Sequence, residues 1–203
     1  KMSTDLVVGK DLPQRADLVI SEVLSAELVG EGVQNTLLDA KKRLLKSNGT
    51  MIPQSGKIII SLVGNNPEVF DATSIDTVHG FDLSKFNLIS QTKFNLNLKG
   101  KPLFLSNPED VFNINFYDET DIVIEDKIIK LEANQDNLCL GVIQWISVHL
   151  YKDINYENKP GEHGSHWPTP IYLFDEPIAV KKGDIIQVRA VLSEDSVWFC
   201  QKI

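Results

Sequence analysis

The sequence contains few cysteines, which limits the disulfide bonds that it can form. Its 203 residues include only two cysteines, Cys139 and Cys200. A small secreted domain that is cross-linked by several disulfides needs more cysteines, so that class of protein is excluded. Both cysteines lie in apolar segments, and we expect two reduced, buried thiols rather than a disulfide between them.

Long apolar runs and export signals are also lacking. No apolar stretch approaches the roughly 18 residues that a membrane-spanning helix requires. The first residues, Lys-Met-Ser-Thr-Asp, contain no apolar segment of the kind that a signal peptide carries. These features predict no membrane partner and a cytoplasmic protein that could also enter the nucleus.

Positive charge is in short supply. The sequence has 20 Lys and Arg residues against 28 Asp and Glu residues, which gives a formal net charge of −8. An acidic chain is poorly suited to neutralise phosphates, so we expect no direct binding of nucleic acid. The same charge is compatible with basic peptide substrates. At 42% hydrophobic residues, the chain can build a core and is not disordered.

Two kinds of pattern follow each other along the chain. Residues 16–20 are a short apolar run typical of a buried parallel strand, and residues 33–46 have helical spacing that ends at the stop signal Ser47-Asn48-Gly49. From residue 51 onward, β-branched or alternating segments separated by turn residues predict an all-β region. Strands are expected at 57–63, 94–98, 111–117, 121–124, 127–132, 138–151, 171–174, 178–180, 185–192 and 196–200.

We therefore predict a mainly β (α+β) fold in two parts. Residues 1–50 hold a strand–loop–helix unit, and residues 51–203 form an antiparallel β-barrel or sandwich domain with an insertion at about 65–90. A buried parallel strand needs neighbours, and residues 1–13 provide no complete strand–helix unit. We expect the chain to begin in the middle of a domain.

Two glutamates lie on the connection between the first strand and the helix. Glu22 and Glu31 are nine residues apart, and in one continuous helix, at about 100° per residue, they would face opposite sides. They converge only if the chain folds back, for which Gly30 and Gly32 supply backbone freedom. Two converged carboxylates suit a guanidinium, which stays charged and offers its donors in a fork. The alternative is a solvated acidic loop without function.

The same stretch resembles a known motif. Ser21-Glu22 followed by Glu31 is similar to the double-E loop of the protein arginine methyltransferases. Within that family, Leu-Val-Gly-Glu-Gly at 28–32 resembles the type III branch, whose members make only monomethylarginine. Ser165-His166-Trp167 resembles the family's Thr-His-Trp loop, and residues 78–84 resemble a stretch of its dimerisation arm. The resemblance spans nearly the whole chain and is dense in motifs at the two ends and around residue 80.

The resemblance implies a fold and a set of roles. Residues 1–50 would be the last part of a Rossmann-like methyltransferase domain, and the family's β-barrel would follow. Glu22 and Glu31 would hold the guanidinium of a protein or peptide substrate, and His166 would support their loop. The residues implied to bind substrate are Ser165 and Trp167, and those implied to lie near the adenine of the cofactor are Met2 and Ser3. The cofactor would be S-adenosylmethionine, and the product monomethylarginine.

The motif that would hold this cofactor is not found. A Rossmann-like domain uses a Gly-rich turn after its first strand and an acidic residue at the end of the second. The only G-x-G, Gly30-Glu31-Gly32, does not directly follow a strand. We expect the chain to be the C-terminal part of an enzyme, without cofactor binding or activity on its own. The arm matched to 65–90 implies a homodimer or an internal pseudo-dimer.

Other interpretations remain open. The chain could be a non-catalytic β-barrel module that binds a peptide or protein. It could also be an unrelated β-sandwich protein in which the spacing of the two glutamates arose by chance. His163 and His166, with Glu162 beside them, could suggest a metal site. None is expected, because two histidines three residues apart have no third ligand here at a known spacing.

Overall fold

The computed structural model describes residues 6–118, 121–162 and 165–202. Its first part is a β–α–β unit. It consists of strand β1 (Ala16–Ile20), helix α1 (Val33–Arg43) and strand β2 (Leu45–Ile52). The two strands pair in parallel, and in the described residues each has only the other as a neighbour. Leu18 and Ile20 of β1 are exposed. The predicted strand–loop–helix order is confirmed.

The helix is shorter than its spacing predicts. It ends at Arg43 rather than at residue 46, and the predicted stop signal 47–49 lies inside β2. Pairing with β1 satisfies the backbone of this segment, and the extended conformation buries Leu45 and Met51 in the core. Gly49 fits the strand because a side chain there would meet Leu45 and the carbonyl oxygen of Asp17. The predicted division after residue 50 therefore falls within a strand.

The rest of the chain is mostly antiparallel β-structure, as predicted. The remaining strands are β3 (Ser55–Gly64), β4 (Thr77–Val78), β5 (Phe81–Asp82), β6 (Lys93–Leu96), β7 (Glu109–Ile114), β8 (Glu125–Glu132), β9 (Asn137–Tyr151), β10 (Ile154–Glu157), β11 (Thr169–Val180), β12 (Ile185–Leu192) and β13 (Val197–Gln201). The larger sheet has the order β6-β11-β9-β3-β7, and β10 also pairs with β9. The smaller sheet has the order β13-β12-β8.

The two sheets share one hydrophobic core. Phe112 of β7 and Phe199 of β13 bring their rings within 6.2 Å of each other across it. The same core includes Leu28 from the 21–32 connection and Leu37 from α1. The connection that carries Glu22 and Glu31 is therefore packed on the β-domain as part of one body.

Three details of the strand prediction were wrong. Residues 121–124 are not a strand, because the backbone N–H of Val123 bonds to the side chain of Gln34 rather than to a neighbouring strand. The segments 171–174 and 178–180 form the single strand β11, with a register shift between Leu173 and Ile178. Strand β10 is not among the predicted strands.

The insertion at 65–90 has more regular structure than a loop. It contains helix α2 (Pro67–Thr73), the small hairpin of β4 and β5, and a 3₁₀ segment at Ser84–Ile89. Helix α2 has a favourable start, because Pro67 occupies its first turn and the Asn66 side chain accepts a hydrogen bond from the N–H of Val69 at 2.9 Å.

The two cysteines do not form a disulfide bond. Cys139 and Cys200 are both free thiols, and burial raises the pKa of Cys139 to about 11. Cys200 is only partly buried. Neither helix in the described ranges has the length and apolar character needed to cross a bilayer.

Candidate functional site

The 21–32 connection is held on the β-domain by its apolar residues. At its start, the N–H of Ser21 donates to the carbonyl oxygen of Ile52 at the end of β2 (2.9 Å). Leu24, Leu28 and Val29 are buried in the shared core. Leu28 lies directly over Gly56 of β3, where a side chain would clash with it. These buried side chains fix the connection against the β-domain.

The connection folds back on itself around Ser25. The hydroxyl of Ser25 accepts hydrogen bonds from the N–H groups of Glu27 (3.1 Å) and Gly30 (3.2 Å). Its carbonyl oxygen accepts one from the N–H of Leu28 (2.9 Å). Gly30 is required because a Cβ there would lie 2.5 Å from the Ser25 hydroxyl oxygen. The chain therefore turns around Ser25, between Glu22 and Glu31, whereas the convergence of their two carboxylates stays a prediction.

Backbone strain accompanies this reversal. Leu28, Glu31 and Gly32 have φ values of 70°, 63° and 69°. Residues other than glycine rarely occupy this left-handed region. Gly32 thus supplies the conformational freedom that we predicted, whereas Gly30 contributes its small size. Strained backbone at non-glycine residues persists only where the surroundings enforce it, and such residues cluster at functional sites.

Glu22 and Glu31 are both exposed. Neither carboxylate forms a hydrogen bond or ion pair with another residue in the described ranges, so both are available to an external cation. Their role in substrate binding stays a prediction.

The start of α1 is fixed by a residue that we had not singled out. Gln34 is 3% exposed, and its amide lies between two turns of the β-domain. Its Oε1 accepts from the N–H of Val123 (2.7 Å), and its Nε2 donates to the carbonyl oxygen of Glu194 (3.1 Å). Because Gln34 follows Glu31 by three residues, these bonds restrain the position of Glu31. The only indication of this role in the sequence is the presence of a glutamine among the apolar positions of α1.

The predicted Ser-His-Trp loop forms a local unit. The hydroxyl of Ser165 accepts from the N–H of Trp167 (3.1 Å), and the ring of His166 lies 5.3 Å from that of Trp167. The Trp167 ring also meets Tyr156 of β10 edge-on at 5.6 Å. His166 itself is exposed. Among the described residues, no hydrogen bond, ion pair or ring contact joins this loop to Glu22 or Glu31, and its supporting role stays a prediction.

Several other predicted residues lie outside the described ranges. These are Met2 and Ser3, which the resemblance places near the cofactor, and His163 of the possible metal set. Within the described ranges, no group of three His, Cys, Asp or Glu side chains is arranged to hold a metal ion.

The sequence is similar to that of known methyltransferases. No protein-family model matches the chain. It is 28% identical over 193 residues to the arginine N(omega)-methyltransferase of Streptomyces achromogenes subsp. streptozoticus, a match that covers 93% of this chain and 52% of that protein. The chain is homologous to arginine N-methyltransferases. Protein arginine N-methyltransferase 2 of Xenopus tropicalis is 24% identical over 202 residues, covering 92% of this chain and 46% of that protein.

A solved structure has a fold similar to that of this chain. It is the Trypanosoma brucei PRMT1 enzyme–prozyme heterotetrameric complex with AdoHcy, with a TM-score of 0.68 and 17% sequence identity. The match covers 89% of this chain and 61% of that chain. The chain spans about half the length of the Streptomyces achromogenes and Xenopus tropicalis proteins.

The strain at Glu31 can be tested by two substitutions. Both Glu31→Gly and Glu31→Ala remove the carboxylate, but only alanine keeps the Cβ that disfavours the left-handed backbone. We expect the unfolding free energy of Glu31→Gly to exceed that of Glu31→Ala by about 1 kcal/mol in denaturant titrations.

The matched control for this test is Glu22, which does not have a positive φ. There the order should reverse, with Glu22→Gly less stable than Glu22→Ala, because glycine gains more freedom on unfolding. If the glycine variant were less stable than the alanine variant at Glu31 as well, the backbone at Glu31 would carry no strain.

Proposed function

We propose that this chain is the substrate-binding part of a protein arginine N-methyltransferase, with Glu22 and Glu31 holding the guanidinium of the substrate arginine. The observation that carries the proposal is the pair of exposed carboxylates without partners in the described residues, on a connection that is otherwise packed into the core. The homology to arginine N-methyltransferases supports it.

The chemistry of arginine explains why two carboxylates are suitable. The guanidinium stays protonated at biological pH and presents its N–H donors in one plane. Carboxylates on two sides can accept from it in fixed directions and draw its positive charge away from the third nitrogen. That nitrogen is then better able to act as a nucleophile, and it is held in one place for reaction.

The Ser-His-Trp loop completes the proposed site. Trp167 is held by Ser165 and Tyr156, so it offers a fixed aromatic surface beside the exposed ring of His166. We propose that this surface bounds the substrate pocket and that His166 accepts a proton from the arginine nitrogen. Restriction of the pocket by Glu31 and Trp167 would limit the product to monomethylarginine, a proposal that rests on the resemblance to the type III branch.

The described residues do not fit S-adenosylmethionine. In a Rossmann-like domain, a Gly-rich turn lets the cofactor approach the backbone at the start of a helix. Here the residues before α1 include the fully buried Leu28 and Val29, and Gly30–Gly32 is a 3₁₀ turn between them and the helix. We propose that the methyl donor is held by a segment outside this chain.

Binding of an arginine peptide tests the proposed role of the glutamates. Glu22→Gln and Glu31→Gln should each weaken the binding of a short peptide with one arginine by about tenfold or more, because each removes a charge-assisted hydrogen-bond acceptor. Calorimetry would measure the dissociation constants. In the enzyme that contains this chain, Glu22→Gln should also abolish methyl transfer while leaving the fold intact.

Two controls separate guanidinium recognition from general attraction of charge. Glu109→Gln removes the same charge from an exposed position on β7 and should leave binding unchanged. A peptide with the uncharged analogue citrulline should bind the unmodified chain no better than the arginine peptide binds the glutamine variants. Equal binding of both peptides would refute the proposed role.

A cofactor-binding measurement tests whether this chain holds the methyl donor by itself. Calorimetric titration of this chain with S-adenosylmethionine should give no binding heat. Clear binding at micromolar concentration would contradict the proposal that the donor is held elsewhere.

Residues 65–90 are proposed to contact a second methyltransferase domain, in another chain or in the same polypeptide. Leu88 and Ile89 are 86% and 81% exposed, and Phe81 and Phe86 are also exposed. Clustered apolar side chains on a surface mark sites of protein association. The Trypanosoma brucei protein is described as a heterotetrameric complex, which supports association for this chain as well.

Removal of this apolar surface should weaken association. The double variant Leu88→Ser/Ile89→Ser should remain monomeric at concentrations at which the unmodified chain, or the enzyme that contains it, associates, as measured by sedimentation. Ile124→Ser is a matched control, since Ile124 is an exposed apolar residue outside this segment. Equal association of both variants would exclude residues 65–90 as the contact.

A further inference from the structure

A third glutamate of the 21–32 connection differs from Glu22 and Glu31 in having a partner. The Glu27 carboxylate lies 2.5 Å from the ammonium nitrogen of Lys93 on β6. The side chains of Glu27 and Lys93 are 18% and 22% exposed. An ion pair that is largely removed from water is screened less by solvent than a surface pair. Breaking it leaves one buried charge uncompensated.

Two aromatic rings enclose the ammonium group of Lys93. Its nitrogen lies 5.3 Å from the ring centre of Tyr172 and 5.9 Å from that of Trp198. Cations are attracted to the faces of aromatic rings at such distances. The position of the ammonium group is therefore set by the β-domain, and Glu27 is drawn to it.

A second set of bonds reaches the residue next to Glu27. The hydroxyl of Tyr172 donates to Oε1 of Gln144 on β9 (2.9 Å), and Nε2 of Gln144 donates to the carbonyl oxygen of Ala26 (3.3 Å). Gln144 and Tyr172 are almost completely buried. Burial, and in addition the Glu27 carboxylate, raise the pKa of Tyr172, so its hydroxyl remains a donor. The two routes meet at Tyr172, since Lys93 lies over its ring.

These contacts fix the middle of the connection at Ala26 and Glu27, between its two exposed glutamates. We propose that Lys93 is a positioning residue: by pairing with Glu27 it sets the spacing of Glu22 and Glu31 and keeps the third carboxylate from competing for the guanidinium. This inference rests on the proposed function for its consequence in substrate binding, but not for its effect on the connection itself.

Lys127 provides a matched control within the same protein. It also pairs with a glutamate, Glu125 (2.6 Å), and its nitrogen also lies over an aromatic ring, that of Phe112 (4.6 Å). It belongs to the smaller sheet, and among the described residues no hydrogen bond, ion pair or ring contact joins it to the 21–32 connection. Lys127→Met removes the same kinds of interaction without releasing Glu27.

Hydrogen exchange tests the effect on the connection. In Lys93→Met, amide exchange at residues 25–31 should become at least about tenfold faster, because the uncompensated Glu27 must move toward water. Lys93→Arg should restore protection, and Lys127→Met should leave this segment unchanged. If Lys93→Met does not fold, Glu27→Gln, which keeps the shape of the side chain, should give the same local increase. Unchanged exchange in the folded variants would overturn the inference.

Affinity for the arginine peptide then separates positioning from general stability. Lys93→Met should weaken binding by about tenfold, whereas Lys127→Met should not, even if both lower the melting temperature alike. Binding that is equally unaffected in both variants would overturn the link between Lys93 and the site. If the unmodified chain binds no arginine peptide while Lys93→Met still loosens residues 25–31, the proposed function fails but the positioning of the connection stands.

Discussion

Burial of the apolar residues of the 21–32 connection is the constraint on which the candidate site depends. Leu24, Leu28 and Val29 belong to the same core as the two sheets. Burial of each such side chain contributes about 1.5–3 kcal/mol, whereas a left-handed conformation costs about 1–2 kcal/mol per residue. Packing therefore outweighs the strain at Leu28 and Glu31. Glu22 and Glu31, which lie on either side of these buried residues, face solvent.

Polar contacts then fix the position of the connection more closely than apolar packing does. Gln144 holds the carbonyl oxygen of Ala26 in the middle of the connection, and Gln34 holds the start of α1 just beyond Glu31. Both amides are buried, and each uses its donor and its acceptor. A buried amide with one unmatched group would cost about 1–3 kcal/mol, so these bonds define one arrangement rather than a range of them. The exposed carboxylates are carried on a rigid support.

Patterns with local causes were predictable from the sequence, and those with distant causes were not. The all-β region, the reversal between Glu22 and Glu31, and the strand–loop–helix order follow from spacing and residue type. The end of α1 was wrong because pairing of β2 with β1, a contact between residues far apart in sequence, overrides the helical pattern at Leu45. The pairing of Glu27 with Lys93 had no sequence signal for the same reason: its partner lies on a separate strand.

The exposed first strand has a practical consequence for the behaviour of the chain in solution. β1 offers an unpaired edge in the described residues, and its Leu18 and Ile20 face water. Such an edge can template the addition of a strand from another molecule, which leads to aggregation unless something covers it. Solubility at high concentration would then report on whether this edge is covered, independently of any chemistry at the glutamates.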